Sequence, residues 1–143
     1  MNRITLLALG LGFCLTAQAA DPITLGLNYP RTGSYKEEGL AQMRGALLAI
    51  DEINEAGGVL GRPLQLISRN TASRPEKAVA NVDKMADEGV AMLFGGVSSA
   101  VAIAASKRAK ERGLLYFGTL TYSNDTTGKD GHRYMFRECN NAW

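Results

Sequence analysis

Residues 90–99 read VAMLFGGVSS, an apolar run followed by two glycines and two serines. Residues 90–94 are apolar at every position, which is typical of a strand buried on both faces of a parallel sheet. Gly95-Gly96 predicts a tight turn. Ser98 or Ser99 is suited to cap the alanine-rich helix that follows and that Gly113 ends. This strand–turn–helix unit predicts an α/β fold.

The same unit recurs on both sides of this stretch. Apolar runs predict further strands at residues 23–28, 64–68, 114–117 and 134–137. Apolar residues at three- and four-residue steps predict a helix over residues 36–56, whose stripe is Leu40, Met43, Leu47, Ile50 and Ile53. A second helix is predicted between a Ser73 cap and Gly89, and a further one opens at Glu138. We therefore predict a doubly wound, mostly parallel sheet that binds ligand at the carboxyl ends of its strands.

Composition excludes several classes of protein. The chain has 143 residues, 16 basic against 14 acidic, and is 45% hydrophobic and 21% charged. These values are near the average of globular proteins and exclude a disordered tail, a collagen-like chain and a polybasic nucleic-acid binder. We expect no nucleic-acid partner.

The first twenty residues predict an export signal. A positive start, an uncharged apolar run and small residues up to Ala19 and Ala20 form the three-part pattern of a secretory signal peptide. A membrane anchor and a buried helix are the alternatives. Cleavage would remove Cys14 and leave residues 21–143 in an oxidising compartment with Cys139 as the lone cysteine. One cysteine and one histidine, His132, do not make a usual metal cage, so we expect no metal.

Two further turns are candidates for ligand contact beside Ser98 and Ser99, whose hydroxyls and neighbouring N–H groups suit a carboxylate. Residues 29–35 hold two tyrosines and one arginine, suited to the walls of a small-molecule site. Thr119 and Thr121 stand at alternate positions of an extended segment and could point together. Helix capping and ordinary surface loops explain the same residues, and these alternatives stay open. The catalytic motifs of α/β hydrolases and phosphate-loop enzymes are missing, and we expect no enzyme activity and no cofactor.

Two blocks carry a family resemblance: PRTG at residues 30–33 and INEAGGVLGRPL at residues 53–64. Together they resemble the opening of the type I periplasmic solute-binding proteins, and within these the leucine/isoleucine/valine-binding branch that serves ABC importers. The resemblance extends over residues 23–143. It implies two α/β lobes that close on a ligand, with this chain supplying most of the first lobe and stopping before the second.

The resemblance also implies positions for the ligand. A serine after the third strand, here Ser98 or Ser99, holds the ligand carboxylate. An aromatic side chain of the first turn, here Tyr35, packs on the ligand. Backbone and hydroxyl groups after the fourth strand fall near Thr119, Thr121 and Tyr122. The residues at the entrance of this predicted site are bulky and polar, so the sequence does not decide the solute. Amino acids, amides, urea and aromatic acids are all candidates.

We therefore expect a periplasmic, ligand-gripping component of an ABC importer whose partners are a small polar solute and an inner-membrane permease. The alternative is the ligand-binding ectodomain of a sensor or receptor with the same fold. An enzyme domain is the least favoured hypothesis. We read the chain as a fragment of a longer protein and expect it to be marginally folded by itself.

Overall fold

The computed structural model describes residues 20–141. Strands and helices alternate along the chain, and their bounds are β1 Ile23–Tyr29, α1 Lys36–Glu55, β2 Leu64–Asn70, α2 Pro75–Asp87, β3 Met92–Gly96, α3 Ser99–Glu111, β4 Tyr116–Thr119 and β5 Met135–Arg137. A short 3₁₀ helix, Asn124–Thr126, lies between β4 and β5. Residues 1–19 of the predicted signal peptide, with Cys14, lie outside the described residues.

All five strands run parallel in the order β2-β1-β3-β4-β5. The chain first moves outward from β1 to β2 and then returns past β1 to β3, so the direction of winding reverses between β1 and β3. Right-handed crossovers place α1 on one face of the sheet and α2 and α3 on the other. The predicted doubly wound α/β fold is confirmed.

The core lies between the sheet and the face covered by α2 and α3. Alternate strand residues such as Leu93, Tyr116 and Met135 point to this face, where they pack with the small and apolar side chains of the two helices. We call this set the core cluster: Ala78, Val82, Met85, Val90, Leu93, Val101, Ala102, Ala105, Ala109, Tyr116 and Met135.

The opposite face is only partly covered. α1 packs on β1 and β2, while Met92, Phe94 and Phe117 line an open groove beside it. Of the apolar stripe predicted on α1, only Ile50 is buried, and Leu47 is 46% exposed. The reason is that, within residues 20–141, no second helix covers this side of the sheet.

Two strands are shifted from their predicted positions. β3 and β4 begin and end two residues later than the apolar runs, because Gly95 and Gly96 continue the ladder by pairing with Gly118 and Thr119. The predicted turn Gly95-Gly96 is thus the end of a strand.

The helix predicted to open at Glu138 is not present over residues 138–141. Instead the Glu138 N–H donates to the Gly118 carbonyl at 3.3 Å, and the Glu138 carboxylate accepts from the Leu120 N–H at 3.2 Å. This segment therefore runs beside the end of β4. Within the described range, no helix combines the length and apolar character that a membrane crossing requires.

Candidate functional site

The carboxyl ends of β1 and β3 form the point at which the winding of the sheet reverses. In open α/β sheets the loops that leave such a point separate to opposite faces and open a crevice for a ligand. Here these loops are residues 30–35, which lead to α1, and residues 97–98, which lead to α3. We call this edge of the sheet the rim.

The β3–α3 turn has an unusual backbone. Gly95, Gly96 and Val97 have φ angles of 125°, 119° and 61°. A Cβ on Gly95 would collide with the carbonyl oxygen of Asn28 on the neighbouring strand, so no larger residue fits. Val97 is β-branched, and a left-handed backbone is a strained conformation for such a residue. Strain of this kind concentrates at binding and catalytic sites.

The start of α3 offers donors to an anion. Ser98 is the N-cap residue, yet its side chain makes no capping hydrogen bond. The first N–H groups of a helix have no carbonyl partner within the helix, and the positive end of the helix dipole lies here. The first turn of α3 carries no acidic residue. Simple capping therefore does not account for Ser98, and the geometry suits a carboxylate.

Ser99 links α3 to the loop after β4. Its Oγ accepts from the Ser123 N–H at 3.1 Å, which leaves the hydroxyl proton free to donate elsewhere. The Ser123 carbonyl in turn accepts from Arg137 Nη1 at 3.0 Å. α3, the β4–β5 loop and the end of β5 are thus held together at the rim. Sequence reasoning missed Arg137 because its contacts lie in another loop.

Thr119 and Thr121 point to different sides. The Thr119 hydroxyl pairs with Gln42 of α1, whereas Thr121 is fully buried and packs against Gly96 and Gly118. The Thr121 N–H donates to Sγ of Cys139 at 3.2 Å, a half-buried free thiol. The expected convergence of the two hydroxyls is corrected, because Leu120 between them has a φ of 57° and breaks the extended alternation.

Tyr122 and Tyr35 are the exposed aromatic residues of the rim, 43% and 41% exposed. Tyr122 follows Thr121 in the β4–β5 loop and lies one residue from the Ser99–Ser123 contact. Tyr35 is the N-cap residue of α1, and its N–H donates to Ser73 Oγ at 3.2 Å. Ser73 therefore contacts the first loop instead of capping α2, whose N-cap is Arg74.

Asn70, at the end of β2, fixes the loop that carries Tyr35. Its Oδ1 accepts the N–H groups of Arg31 at 2.9 Å, Thr32 at 3.3 Å and Ala72 at 2.9 Å. Its Nδ2 donates to Thr32 Oγ1 at 2.9 Å. Sequence reasoning missed this residue, because a strand-end asparagine gives only a general turn signal.

A buried asparagine pair lies beneath these loops. Asn28 is fully buried; its Nδ2 donates to the Ala78 carbonyl and its Oδ1 accepts from Asn81 Nδ2, both at 3.0 Å. Asn81 Nδ2 also approaches the Asn70 carbonyl at 3.2 Å. These bonds join α2 to the ends of β1 and β2, which gives the first-loop part of the rim a rigid base.

The predicted site residues thus form two groups at one rim. Ser98 and Ser99 lie beside the loop of Thr121 and Tyr122, and Tyr35 lies across the β1/β3 switch point with the β2–α2 loop. Within residues 20–141, no hydrogen bond joins Tyr35 to the serines. The same part of the chain contains no cluster of three or more histidine, cysteine, aspartate or glutamate residues that could hold a metal ion.

Comparison with known proteins adds a family match. Residues 22–143 match a family described as periplasmic binding protein. Over 126 residues the chain is 34% identical to the leucine-, isoleucine-, valine-, threonine- and alanine-binding protein of Pseudomonas aeruginosa, covering 88% of this chain and 34% of that protein. It is 35% identical over 117 residues to the Leu/Ile/Val-binding protein BraC3 of Rhizobium johnstonii, covering 82% of this chain and 32% of that protein.

Solved structures give the same result for the fold. The branched-chain amino acid transporter substrate-binding protein LivJ of Streptococcus pneumoniae, in complex with isoleucine, superposes with a TM-score of 0.77 at 27% identity over 84% of this chain and 34% of that one. A leucine-, isoleucine-, valine-, threonine- and alanine-binding protein of Brucella ovis, in a closed conformation, also superposes with a TM-score of 0.77. The identity is 26%, and the match covers 85% of this chain and 33% of that one. The chain spans about a third of the length of these relatives.

Proposed function

Because the chain belongs to the type I periplasmic binding proteins of the leucine/isoleucine/valine-binding family, we propose that it is the solute-binding component of an ABC importer. Its ligands are amino acids or related small solutes that carry a carboxylate or an amide. Binding is reversible and involves no covalent step, no metal and no cofactor.

The start of α3 is the observation that supports this role best. The unbonded Ser98 side chain and the first N–H groups of α3 lie at the switch point of the sheet, where the positive end of a helix dipole faces the crevice. In our proposal Ser98 and Ser99 donate to the solute carboxylate. Tyr35 forms an aromatic wall.

The β4–β5 loop completes this half of the site. Its exposed Tyr122 and the backbone groups near Thr119 and Thr121 contact the solute. Thr121 is fully buried, so its side chain supports the loop from within while its neighbours contact the ligand. The Thr119 hydroxyl accepts from Gln42 Nε2, which leaves its proton free to donate to a solute.

The organisation of the whole protein follows from the same proposal. Residues 1–20 direct export to the periplasm, and residues 21–143 form the first lobe of a two-lobed binding protein. A second lobe encloses the solute by hinge closure, and the closed form delivers it to a permease in the inner membrane. Nucleic acid is not a partner.

Amide chemical shifts of the ¹⁵N-labelled chain test the binding role. Leucine, isoleucine, valine, threonine, alanine, an aromatic acid, an aliphatic amide and urea are each titrated to high millimolar concentration. One lobe leaves the solute open to water on one side, so we expect a Kd on the order of 1 mM. The largest shifts should fall on the amides of residues 98–101 and 120–123, and the solute with the lowest Kd identifies the preferred class.

Matched serine variants test the site. Ser98→Ala should raise the Kd about tenfold, the loss of a charge-assisted hydrogen bond worth roughly 1.5 kcal/mol. Ser68→Ala makes the same change at an exposed position of β2 and should leave the Kd unchanged. The proposal fails if none of these solutes shifts the rim amides, or if both variants have the same effect.

A further inference from the structure

A second polar cavity lies at the end of the molecule opposite the rim. It has a volume of about 510 Å³ and is formed by the last turns of α3 and the loop before β5. The α3 residues that line the cavity, Lys107, Lys110 and Glu111, lie 8 to 12 positions after Ser99, so at 1.5 Å per residue the cavity lies about 12 to 18 Å from Ser99. It is therefore separate from the proposed solute site.

The acidic side chains of this cavity already have cationic partners. Asp130 accepts from Lys107 Nζ at 2.6 Å, and Glu111 is bound by Arg108 Nη1 at 2.5 Å. The charge of Lys129, the residue before Asp130, also lowers the pKa of this carboxyl, after the larger effect of the Lys107 hydrogen bond.

The lining carries three lysines against two carboxylates, an excess of one positive charge. Lys110 lies on α3 and Lys129 on the facing loop, and both line the cavity. Neither forms an ion pair with any residue in the 20–141 range that the structure describes. Their ammonium groups belong to facing elements, so a small anion between them could accept hydrogen bonds from both.

His132 completes the lining and reports the local charge. Its Nδ1 accepts from the Tyr134 N–H at 3.3 Å, so the neutral ring carries its proton on Nε2, which is buried and has no hydrogen-bond partner among the described residues. Burial lowers the pKa of His132, and the charges of Lys110 and Lys107 lower it further. The imidazole therefore lies within reach of the positive charges of α3.

We propose that this cavity is a second binding site, one for a phosphoryl oxyanion held between Lys110 and Lys129. Lysines bind phosphate as point charges, and the volume is sufficient for a phosphate or phosphomonoester group. The group can come from free phosphate or from the headgroup of an anionic lipid. Both carry the phosphoryl oxyanion that the two lysines would bind.

His132 is the only histidine of the 143-residue chain and gives a direct test. Its pKa is measured by NMR on the full chain, purified with a histidine-free tag, in inorganic phosphate and in chloride at equal ionic strength. A bound anion favours the charged imidazole, so saturating phosphate should raise the pKa by roughly 0.5 to 1 unit. The titratable groups that line the cavity together with the ring are Lys107, Lys110 and Glu111 of α3 with Lys129 and Asp130 of the loop.

Variants and vesicles separate the possible outcomes. Lys110→Ala/Lys129→Ala should abolish the phosphate response, whereas Lys84→Ala, an exposed lysine of α2, should preserve it. Sedimentation with phosphatidylglycerol vesicles, against phosphatidylcholine vesicles, tests the lipid source with the same variants. A saturable response to either source, lost in the double variant, supports the site.

Absence of both responses overturns the proposal. It is also overturned if the double variant lowers the melting temperature but leaves the phosphate response unchanged, because the lysines then only stabilise the end of α3.

Discussion

Replacement of Asn70 by alanine should release the loop that carries Tyr35 while leaving the core cluster in place. Asn70 Oδ1 accepts three backbone N–H groups, from Arg31, Thr32 and Ala72, and Nδ2 donates to Thr32 Oγ1. An alanine at this position removes every one of these bonds and adds no new contact.

The magnitude follows from these four hydrogen bonds. A typical intramolecular hydrogen bond contributes about 1 kcal/mol net. Three donors share the two lone pairs of one oxygen, so together they contribute less than three separate bonds would. We therefore expect the free energy of unfolding to fall by about 2 kcal/mol, roughly a thirtyfold change in the folding equilibrium.

Urea denaturation followed by circular dichroism measures this loss, and amide hydrogen exchange locates it. The N–H groups of Arg31, Thr32 and Ala72 should lose nearly all protection. Asn70→Asp is the matched control: it keeps the acceptor oxygen, and the Thr32 hydroxyl can donate to it, so stability should change by less than about 0.5 kcal/mol. Unchanged protection in the alanine variant, or equal damage from aspartate, would refute the reasoning.

Three further predictions concern other parts of the fold. Gly95→Ala places a Cβ against the Asn28 carbonyl at a φ of 125°. We expect the free energy of unfolding to fall by about 3 kcal/mol or more, and an unchanged melting temperature would contradict this expectation. Leu60 is 96% exposed and has a φ of 53°. Leu60→Gly relieves the strain of the left-handed backbone but increases the entropy of the unfolded chain, so the free energy of unfolding, measured by urea denaturation, should rise by about 0.5 kcal/mol. A decrease in the free energy of unfolding would argue against strain at this position. The hydrogen bond from Arg108 lowers the pKa of Asp83 below its ordinary 3.8. The stabilising effect of the Asp83 carboxylate is therefore present above about pH 4 and is lost as the pH falls through the native pKa. Asp83→Asn should weaken the fold at about pH 7 and should do so less as the pH is lowered below about 4, and equal differences in stability across this pH range would exclude the linkage.

The alternating fold could be predicted because its signals are local. Apolar runs, helical periodicity and glycine stops identified each main strand and helix, and α1 begins at the predicted Lys36. The errors arose where a neighbouring strand decides the outcome. Gly95 and Gly96 suggest a turn by composition, yet pairing with β4 keeps them in the sheet.

The site could be predicted only in part. The sequence pointed to Ser98 and Ser99 because they follow a buried strand and two glycines at the start of a helix, although helix capping explained the same residues. It did not reveal Asn70, which bonds residues 38 and 39 positions away. It also left open that Thr119 and Thr121 point together, because the sequence gives no sign that Leu120 adopts a left-handed backbone. The ligand-contact assignments stay predictions until the titrations above are done.

The parallel arrangement of the strands separates two tasks within one small lobe. Every turn proposed to contact solute leaves the sheet at one edge, while Leu93, Tyr116 and Met135 of the core cluster are buried beneath α2 and α3. Substitutions in the exposed turns can therefore change the proposed ligand contacts without disturbing the interior. An architecture of this kind allows related proteins to vary their surface turns while the same buried core is inherited unchanged.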